Sequence, residues 1–478
     1  MQTRLSAAVL AVSMLAVSML ASCGESETQD ETTTAGTTTE NPSTETTSYY
    51  DTLDLPDFGG ENFTILCRTN VKNELYSESE TGEIVNDAVY ERNLNVSERL
   101  NVTLNIHDIP GDWANKDSFV QYVSSSILSG DDAFQLILGY MNYMPPTILD
   151  GLYLDINTLP NINTDNPWWV SGFNDNVTIN GKMYMAMGDM CWSMLQYAFC
   201  GYVNKTVLEQ YNYNIDDLYT AVREGKWTFD MLNEIASNVS GDINGDSVMD
   251  ENDLYGIGMH DMPIRALTNA FAIDYTTRDN EGMPVLALYG ERFISAYEDV
   301  YNAYNSEYWY DKNSSDMFMN NQLLFYFDVL NAASMLREME SDFGVLPMPK
   351  YDEAQESYRT ETGDTTSVIF VPVTVQNKEL CGWMLELMNY ESNRLVVPAY
   401  FDMALQSKYT RDESSIEMMQ LIRDSIYYDF GYVFANSIGG INSIMAKVMT
   451  TENIASEWET NRATYEANLQ KLLEYFRS

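Results

Sequence analysis

The sequence predicts an α/β protein large enough for two lobes. Three observations lead there. The chain has 478 residues, more than one hydrophobic core organises. It is 45% hydrophobic, with 33 Tyr, 18 Phe and 8 Trp, so two cores can be filled. Beyond residue 60 its pattern opens as strand, helix, strand, helix, strand, the start of an open parallel sheet.

The N-terminal segment is of another kind. Met1 to Arg4 are positively charged, Leu5 to Leu20 form an apolar run, and Leu20-Ala21-Ser22-Cys23 follows. These are the three parts of a signal peptide, with small residues before the cut. Residues 1–22 are read as that peptide. The tetrad resembles the bacterial lipobox, in which the cysteine is acylated and becomes the new N-terminus. A plain membrane anchor or an ordinary signal peptide is the alternative, and the run is at the short limit for a span. Residues 24–50 are dominated by Thr, Glu and Ser, with nothing apolar before Tyr49. Such a tract cannot bury enough surface to fold and reads, with Cys23, as a lipidated linker over 23–55. Its reach suits a cell-surface lipoprotein of a Gram-positive-type organism.

The folded part is read in order. Asn62 to Cys67 alternates as a strand. Glu83 to Leu100 is a helix with Val85, Val89, Val96 and Leu100 at helical steps. Val102, Leu104 and Ile106 make a second strand, Asp117 to Leu128 a helix, and Phe134 to Leu138 a buried strand. Ligands of open sheets bind beyond the strands' carboxyl ends, which puts Arg68 and Tyr140 near a cleft. Asn180-Gly181-Lys182 is a tight turn. Lys226 to Val239 and Asp316 to Met339 read as helices, Phe343 to Leu346 and Val368 to Val373 as strands. Asn453 to Arg477 is an amphipathic helix with Ile454, Trp458, Tyr465, Leu469, Leu472 and Phe476 on one stripe.

Charge excludes partners. Lys and Arg number 26 against 71 Asp and Glu, a net charge of -45. This field repels phosphate backbones, so nucleic acid is not a partner, and it disfavours anionic solutes. The two histidines, His107 and His260, are far apart and do not suggest a His-rich metal site. With Cys23 taken by lipid, four cysteines remain and none forms a CxxC. Cys191 and Cys200 could pair in an oxidising compartment, but buried free thiols are the favoured alternative.

Five blocks carry a resemblance: GEIVNDAVYERNLNVSERLNV (82–102), NPWWVSGFNDNVTINGKMYMAMGDM (166–190) with GYVNKTVLEQYN (201–212), KWTFDMLNEIASNVSGDINGDSVMDENDLYGIG (226–258), SDFGVLPMPKYDEAQESY (341–358) and VPAYFDMALQSKYTRDESSIEMM (397–419). Together they resemble the family 1 extracellular solute-binding proteins of ABC importers, in the lipoprotein branch of Clostridia-type bacteria, over most of residues 55–435. The resemblance implies a periplasmic-binding-protein-like fold, two α/β lobes joined by a hinge of crossing segments. Lobe 1 would take 56–187 and 346–395, lobe 2 188–345 and 396–478. It further implies a receptor, not an enzyme, that captures a carbohydrate and hands it to permease subunits; a monomer is expected, because capture requires free hinge motion.

Sugars present apolar C–H faces and a rim of hydroxyls, so their sites combine aromatic walls with a few polar groups. The aromatic candidates are Tyr140, Trp168, Trp169 and Trp192, with Trp113 in the loop after Gly111-Asp112. Core packing is the alternative for each, and adjacent tryptophans cannot share one side of a strand. The polar candidates are Asp189, Arg68 and Asp364. DINGDSVMDEND places Asp242, Asn244, Asp246, Val248 (through its carbonyl), Asp250 and Asp253 at positions 1, 3, 5, 7, 9 and 12 of a calcium loop. Ser247 stands where Gly is usual, position 12 is Asp rather than Glu, and the following YGIG reads as a strand. A structural calcium is the expectation, an Asx-rich turn without metal the alternative. No GxxxxGK[ST] loop is present, in keeping with a separate ATPase. A glycosidase would need two carboxylates at a set separation, and no hydrolase motif is visible. A receptor for a peptide, amine or other non-sugar solute remains the competing reading.

Overall fold

The computed structural model describes residues 49–312, 315–406 and 413–477. The segments read as a signal peptide and spacer, with Cys23, fall on residues 1–48 and lie outside the described residues. The chain divides into Met1–Asp54 and Leu55–Ser478. In the first unit, Tyr49–Thr52 makes a single 3-10 turn. Everything below concerns the second.

In chain order the strands are β1 (Glu61–Arg68), β2 (Val102–Ile109), β3 (Leu136–Tyr140), β4 (Phe199–Asn204), β5 (Tyr255–Gly258), β6 (Thr276–Arg278), β7 (Pro284–Leu286), β8 (Trp309–Tyr310), β9 (Leu323–Val329), β10 (Phe343–Pro347) and β11 (Ser367–Phe370). They build two main sheets, β11-β3-β1-β2 and β10-β4-β9-β5-β8, and a β6-β7 hairpin. In the first sheet β1 is parallel to β2 and β3, as the opening pattern predicts, and β11 is added antiparallel. In the second, β5 is parallel to β8 and β9, while β4 is antiparallel to β9 and β10. Helices flank both sheets.

Burial explains the strands. β1 has neighbours on both sides, so Ile65, Leu66 and Cys67 are all fully buried despite their alternation. β2 lies at an edge and alternates with one face out. The helix Ile84–Leu100 buries Val85, Val89, Val96 and Leu100, and ends at Asn101, whose φ of 47° turns the chain out. Asn180 and Gly181 have φ of 53° and 73°, the left-handed pair of a type I′ turn, closed by hydrogen bonds between Ile179 and Lys182. The helix Ile454–Arg477 buries the whole expected stripe.

One element is a correction. Residues 316–339 do not form one helix. A short helix Ser315–Met319 leads to Asn321 with φ of 60°, then to β9, then to the 3-10 segment Leu330–Glu338. The run Leu323 to Phe327 is buried on both faces, at the centre of the second sheet. A fully apolar run has no period to separate strand from helix, and its aromatic residues favour the pleated surface.

The chain passes from the first sheet to the second between β3 and β4, and returns between β10 and β11. Leu346 and Pro347 still pair with Gly201 and Cys200 of the second sheet. A third passage follows the helix Lys378–Glu391, which packs against Ile84–Leu100, and reaches the helix Glu413–Asp424, which packs on β10. The C-terminal helix reaches the other way: Asn180 Nδ2 donates to the Phe476 carbonyl, and Tyr475 and Phe476 pack on Tyr184. Cys67, Cys191, Cys200 and Cys381 are buried free thiols, so Cys191 and Cys200 are not paired. Among the described residues, no helix is long and apolar enough to cross a membrane.

Candidate ligand site

Arg68 closes β1 and Tyr140 closes β3, side by side at the carboxyl edge of the first sheet. The Arg68 guanidinium is fully buried and lies 4.6 Å from the centre of the Tyr140 ring. Its Nη2 donates to the Thr365 carbonyl at 2.7 Å and to Ser367 Oγ at 3.0 Å. Its Nε and Nη1 are buried without a hydrogen-bond partner. Beneath it, Glu74 is buried and accepts from Ser193 N at 2.8 Å and from the Ser367 hydroxyl. Buried polar groups thus tie β1 to both segments that cross between the sheets.

Two residues beyond β3, Asn142 donates to Asp364. Burial raises the Asp364 carboxyl above its ordinary range, against the pull of the Asn142 hydrogen bond, Arg265 and Arg68. Arg265 belongs to the helix Asp261–Ala270, which leaves the carboxyl end of β5 in the second sheet. Arg265, paired with Asp261 at 2.6 Å, thus brings a positive charge from beside the second sheet within electrostatic reach of Asp364. Tyr197, on the first crossing segment, accepts from Gly363 N at 2.7 Å. Glu361 is buried, its carboxyl pushed well up by burial and by Asp364, and its Oε2 has no hydrogen-bond partner.

The structure brings Arg68, Tyr140 and Asp364 together. The other candidates lie elsewhere. Trp168 and Trp169 both donate their indole N–H to the buried carboxylate of Glu386, at 3.1 and 2.9 Å. They sit in a turn, not a strand, which lets adjacent rings reach one acceptor. Trp169 also lines a cavity of about 300 Å³ with Asp189, Met194, Arg423 and Ile426. Trp192 is buried against Tyr400, ring centres 5.8 Å apart, and its N–H has no hydrogen-bond partner. Asn142, Arg265 and Glu361 were not found from sequence. Asn142 had a usable signal, its place just past a strand end. Arg265 has no local signal, since only the chain's passage between sheets brings it near Asp364, whereas Glu361 lies three residues before Asp364 in a loop with no pattern to single it out.

The 242–253 loop has the turns its sequence implies. Asp242 accepts from Gly245 N and Ser247 N, Asn244 from Asp246 N, Asp246 from Val248 N, and Asp253 from Ile243 N and Asp250 N. Ser247 adopts a φ of 64°, the conformation that glycine usually supplies at the sixth position. Asp253 is fully buried. The carboxylates are engaged with backbone amides, and among the described residues no group of three or more His, Cys, Asp or Glu is placed to hold a metal ion.

No known family's sequence model matches the chain, and no curated protein matches it. Solved structures do. The cyclic α-maltosyl-1,6-maltose binding protein of Arthrobacter globiformis superposes with a TM-score of 0.57 at 14% identity, covering 87% of this chain and 99% of that one. An ABC transporter solute-binding protein of Thermotoga lettingae, bound with α-D-tagatose, gives 0.50 at 12%, covering 87% and 100%. The chain has the ABC solute-binding-protein fold. UgpB of Mycobacterium tuberculosis, in complex with glycerophosphocholine, shares that fold with a TM-score of 0.51 at 14% identity, covering 88% and 98%. The solute-binding-protein fold accounts for the two main sheets and for the repeated passages between them.

Proposed function

We propose that this protein is an extracytoplasmic receptor that captures a carbohydrate and delivers it to the permease of an ABC importer, without chemical change to the solute. The observation that carries this is the convergence of Arg68, Tyr140, Asn142 and Asp364 at the strand ends of one sheet with Arg265 from the other. Arg68 and Tyr140 are buried in this structure, so a solute would reach them only as the segments around them part; an aromatic ring beside hydrogen-bonding groups of both kinds would then suit a sugar's C–H face and hydroxyls. The unpartnered Arg68 N–H groups and Glu361 oxygen support it further, because buried polar atoms without partners are uncommon in finished protein interiors. Closure of two lobes over the solute would signal loading to the permease.

A second reading, a receptor for a non-sugar solute such as a peptide or amine, is favoured by the likeness to UgpB, whose named ligand is glycerophosphocholine. Calorimetry against a panel of glycans, peptides and amines separates the two. Sub-millimolar binding of a glycan supports the first. Binding of a peptide or amine with no glycan response ends it. Incubation with labelled oligosaccharides tests the absence of catalysis: the receptor retains them intact in stoichiometric amount, whereas turnover identifies an enzyme.

The same proposal includes an acyl anchor on Cys23, a spacer that holds a monomeric receptor above the membrane, and a Gram-positive-type cell surface. The order Leu20-Ala21-Ser22-Cys23 followed by a polar tract supports it. Metabolic labelling with a fatty acid checks the anchor; an unlabelled mature chain refutes it. A structural calcium in the 242–253 loop is also proposed, supported by the ligand spacing and by the left-handed Ser247.

A further inference from the structure

Three arginines of this chain meet a carboxylate directly. Arg359 Nη1 lies 2.7 Å from Asp274, Arg292 Nη1 2.8 Å from Asp352 and Arg394 Nη2 2.7 Å from Glu391. Arg423 departs from this pattern. Its Nη2 stops 4.0 Å from Asp189 Oδ2, beyond hydrogen-bond reach. Among the described residues its guanidinium donates no hydrogen bond, and its further neighbour is the Phe401 ring, centred 5.9 Å away. Asp189 is 3% exposed, and its Oδ2 accepts from Asn393 Nδ2 at 2.6 Å. Its Oδ1 accepts no hydrogen bond among the described residues. An almost fully buried carboxylate carries a desolvation cost that a partner on that oxygen would offset.

Asp189 and Arg423 both line the cavity of about 300 Å³, with Trp169, Met194, Asp424 and Ile426. Arg68, Tyr140, Asn142 and Asp364 are not among its walls. The crossing segment 189–194 serves both places. Ser193 N donates to Glu74 under Arg68 and Ser193 Oγ accepts from Ser367 N, whereas Asp189 and Met194 line the cavity. Trp168 and Trp169 pin one wall, the turn 167–172, to Glu386 on the helix Lys378–Glu391, which packs on Ile84–Leu100. The opposing wall is the end of the helix Glu413–Asp424, which packs on β10.

We propose that this cavity is a second binding site, for a small zwitterion with the chemistry of a free α-amino acid, separate from the carbohydrate site. A free anion is repelled by a net charge of -45, and a free cation meets Arg423. A zwitterion escapes both penalties. It lies beside the Arg423–Asp189 pair with its own charges reversed. Its carboxylate takes the guanidinium fork, and its ammonium donates to the unused Asp189 oxygen and to Asp424. Four charges then alternate in a closed ring. In an α-amino acid both groups leave one carbon, so they stay close enough to serve the two ends of a 4.0 Å gap. Met194, Ile426 and the Trp169 ring receive the side chain. A volume of about 300 Å³ is at the small end for ligand pockets, which run from ~300 to ~1,000 Å³.

Calorimetry on the full chain near neutral pH tests this with glycine, L-alanine and L-valine, and with acetate and methylammonium as the two half-ligands. At least one amino acid is expected to bind. Acetate and methylammonium should each bind at least about tenfold more weakly, because each satisfies one charge of the pair. Arg423→Gln and Asp189→Asn should each weaken the amino acid at least about tenfold. Arg423→Lys, which keeps the charge and loses the fork, should weaken it less than Arg423→Gln. The Arg423 side chain is 32% exposed, so its replacement leaves the core filled, and thermal melts verify that each variant is folded. If no amino acid binds, or if folded variants bind as the wild type does, the site is refuted and the receptor reading stands. The same follows if rising amino acid concentration displaces a glycan competitively, for then the two sites are one. If no glycan binds while the amino acid responds to both variants as expected, the carbohydrate reading falls and the zwitterion site stands.

Discussion

Asp189 is held from two sides: Asn393 Nδ2 donates to its Oδ2 at 2.6 Å, and Arg423 approaches the same oxygen at 4.0 Å. Asn393 lies in the segment packed on Ile84–Leu100 beside the first sheet, and Arg423 on the helix packed on β10 of the second. Burial lifts the Asp189 carboxyl to about 6, against the pull of Asn393 and Arg423. An acid raised in the folded state binds its proton more tightly there than when unfolded. Its contribution to stability is therefore complete below about 4 and is lost as pH rises through about 6. Asp189→Asn should mimic the protonated form. Chemical denaturation should show the variant gaining on the wild type by roughly 2 kcal/mol between pH 4 and pH 7. A difference that does not change with pH counts against the assignment.

Glu386 is the acceptor for Trp168, Trp169 and Asn166 side chains and for Asn163 N. Glu386→Gln puts an N–H₂ where donors already point. The variant should be destabilised by about 2–4 kcal/mol, from lost charge-assisted bonds and donors left facing one another. Its denaturation midpoint should fall with the slope unchanged. A midpoint equal to that of the wild type would show that the anchor is dispensable.

Asp364 separates binding from stability. Its carboxyl is raised by burial, so a neutral amide relieves a cost in the free protein. Asp364→Asn should melt no lower than the wild type and bind the ligand found by the glycan screen at least about tenfold more weakly, one charged hydrogen bond's worth. Unchanged affinity removes Asp364 from the site.

The 242–253 loop is tested by a thermal melt with calcium and with chelator. A structural ion at saturating concentration raises the melting temperature, because it binds only the folded loop. Asp242→Ala should abolish that rise. Identical melts in calcium and chelator would leave the loop as a set of Asx turns closed on its own backbone amides.

Much of the first sheet was legible. Val85, Val89, Val96 and Leu100 recur at helical steps, and β1 to β3 come close together in sequence, so local pattern and final neighbour agree. The second sheet was harder. β9 is not distinguishable from a helix in sequence because Leu323 to Phe327 are buried on both faces, which erases the period that tells the two apart. The site divides the same way. Arg68 and Tyr140 follow from being strand ends, whereas Trp168 and Trp169 have the same composition as ligand aromatics, and only Glu386, more than two hundred residues away, reveals what their N–H groups do.

By itself the sequence determined the α/β class, the order of the first elements, the stripe of the C-terminal helix and the strand-end positions of Arg68 and Tyr140. Each depends on periodicity and neighbours within a few residues. Tertiary structure alone decided that β9 is a central strand, that Glu386 anchors two tryptophans, and that Arg265 comes within electrostatic reach of Asp364. Those outcomes depend on contacts between residues far apart in the chain, which no local pattern encodes.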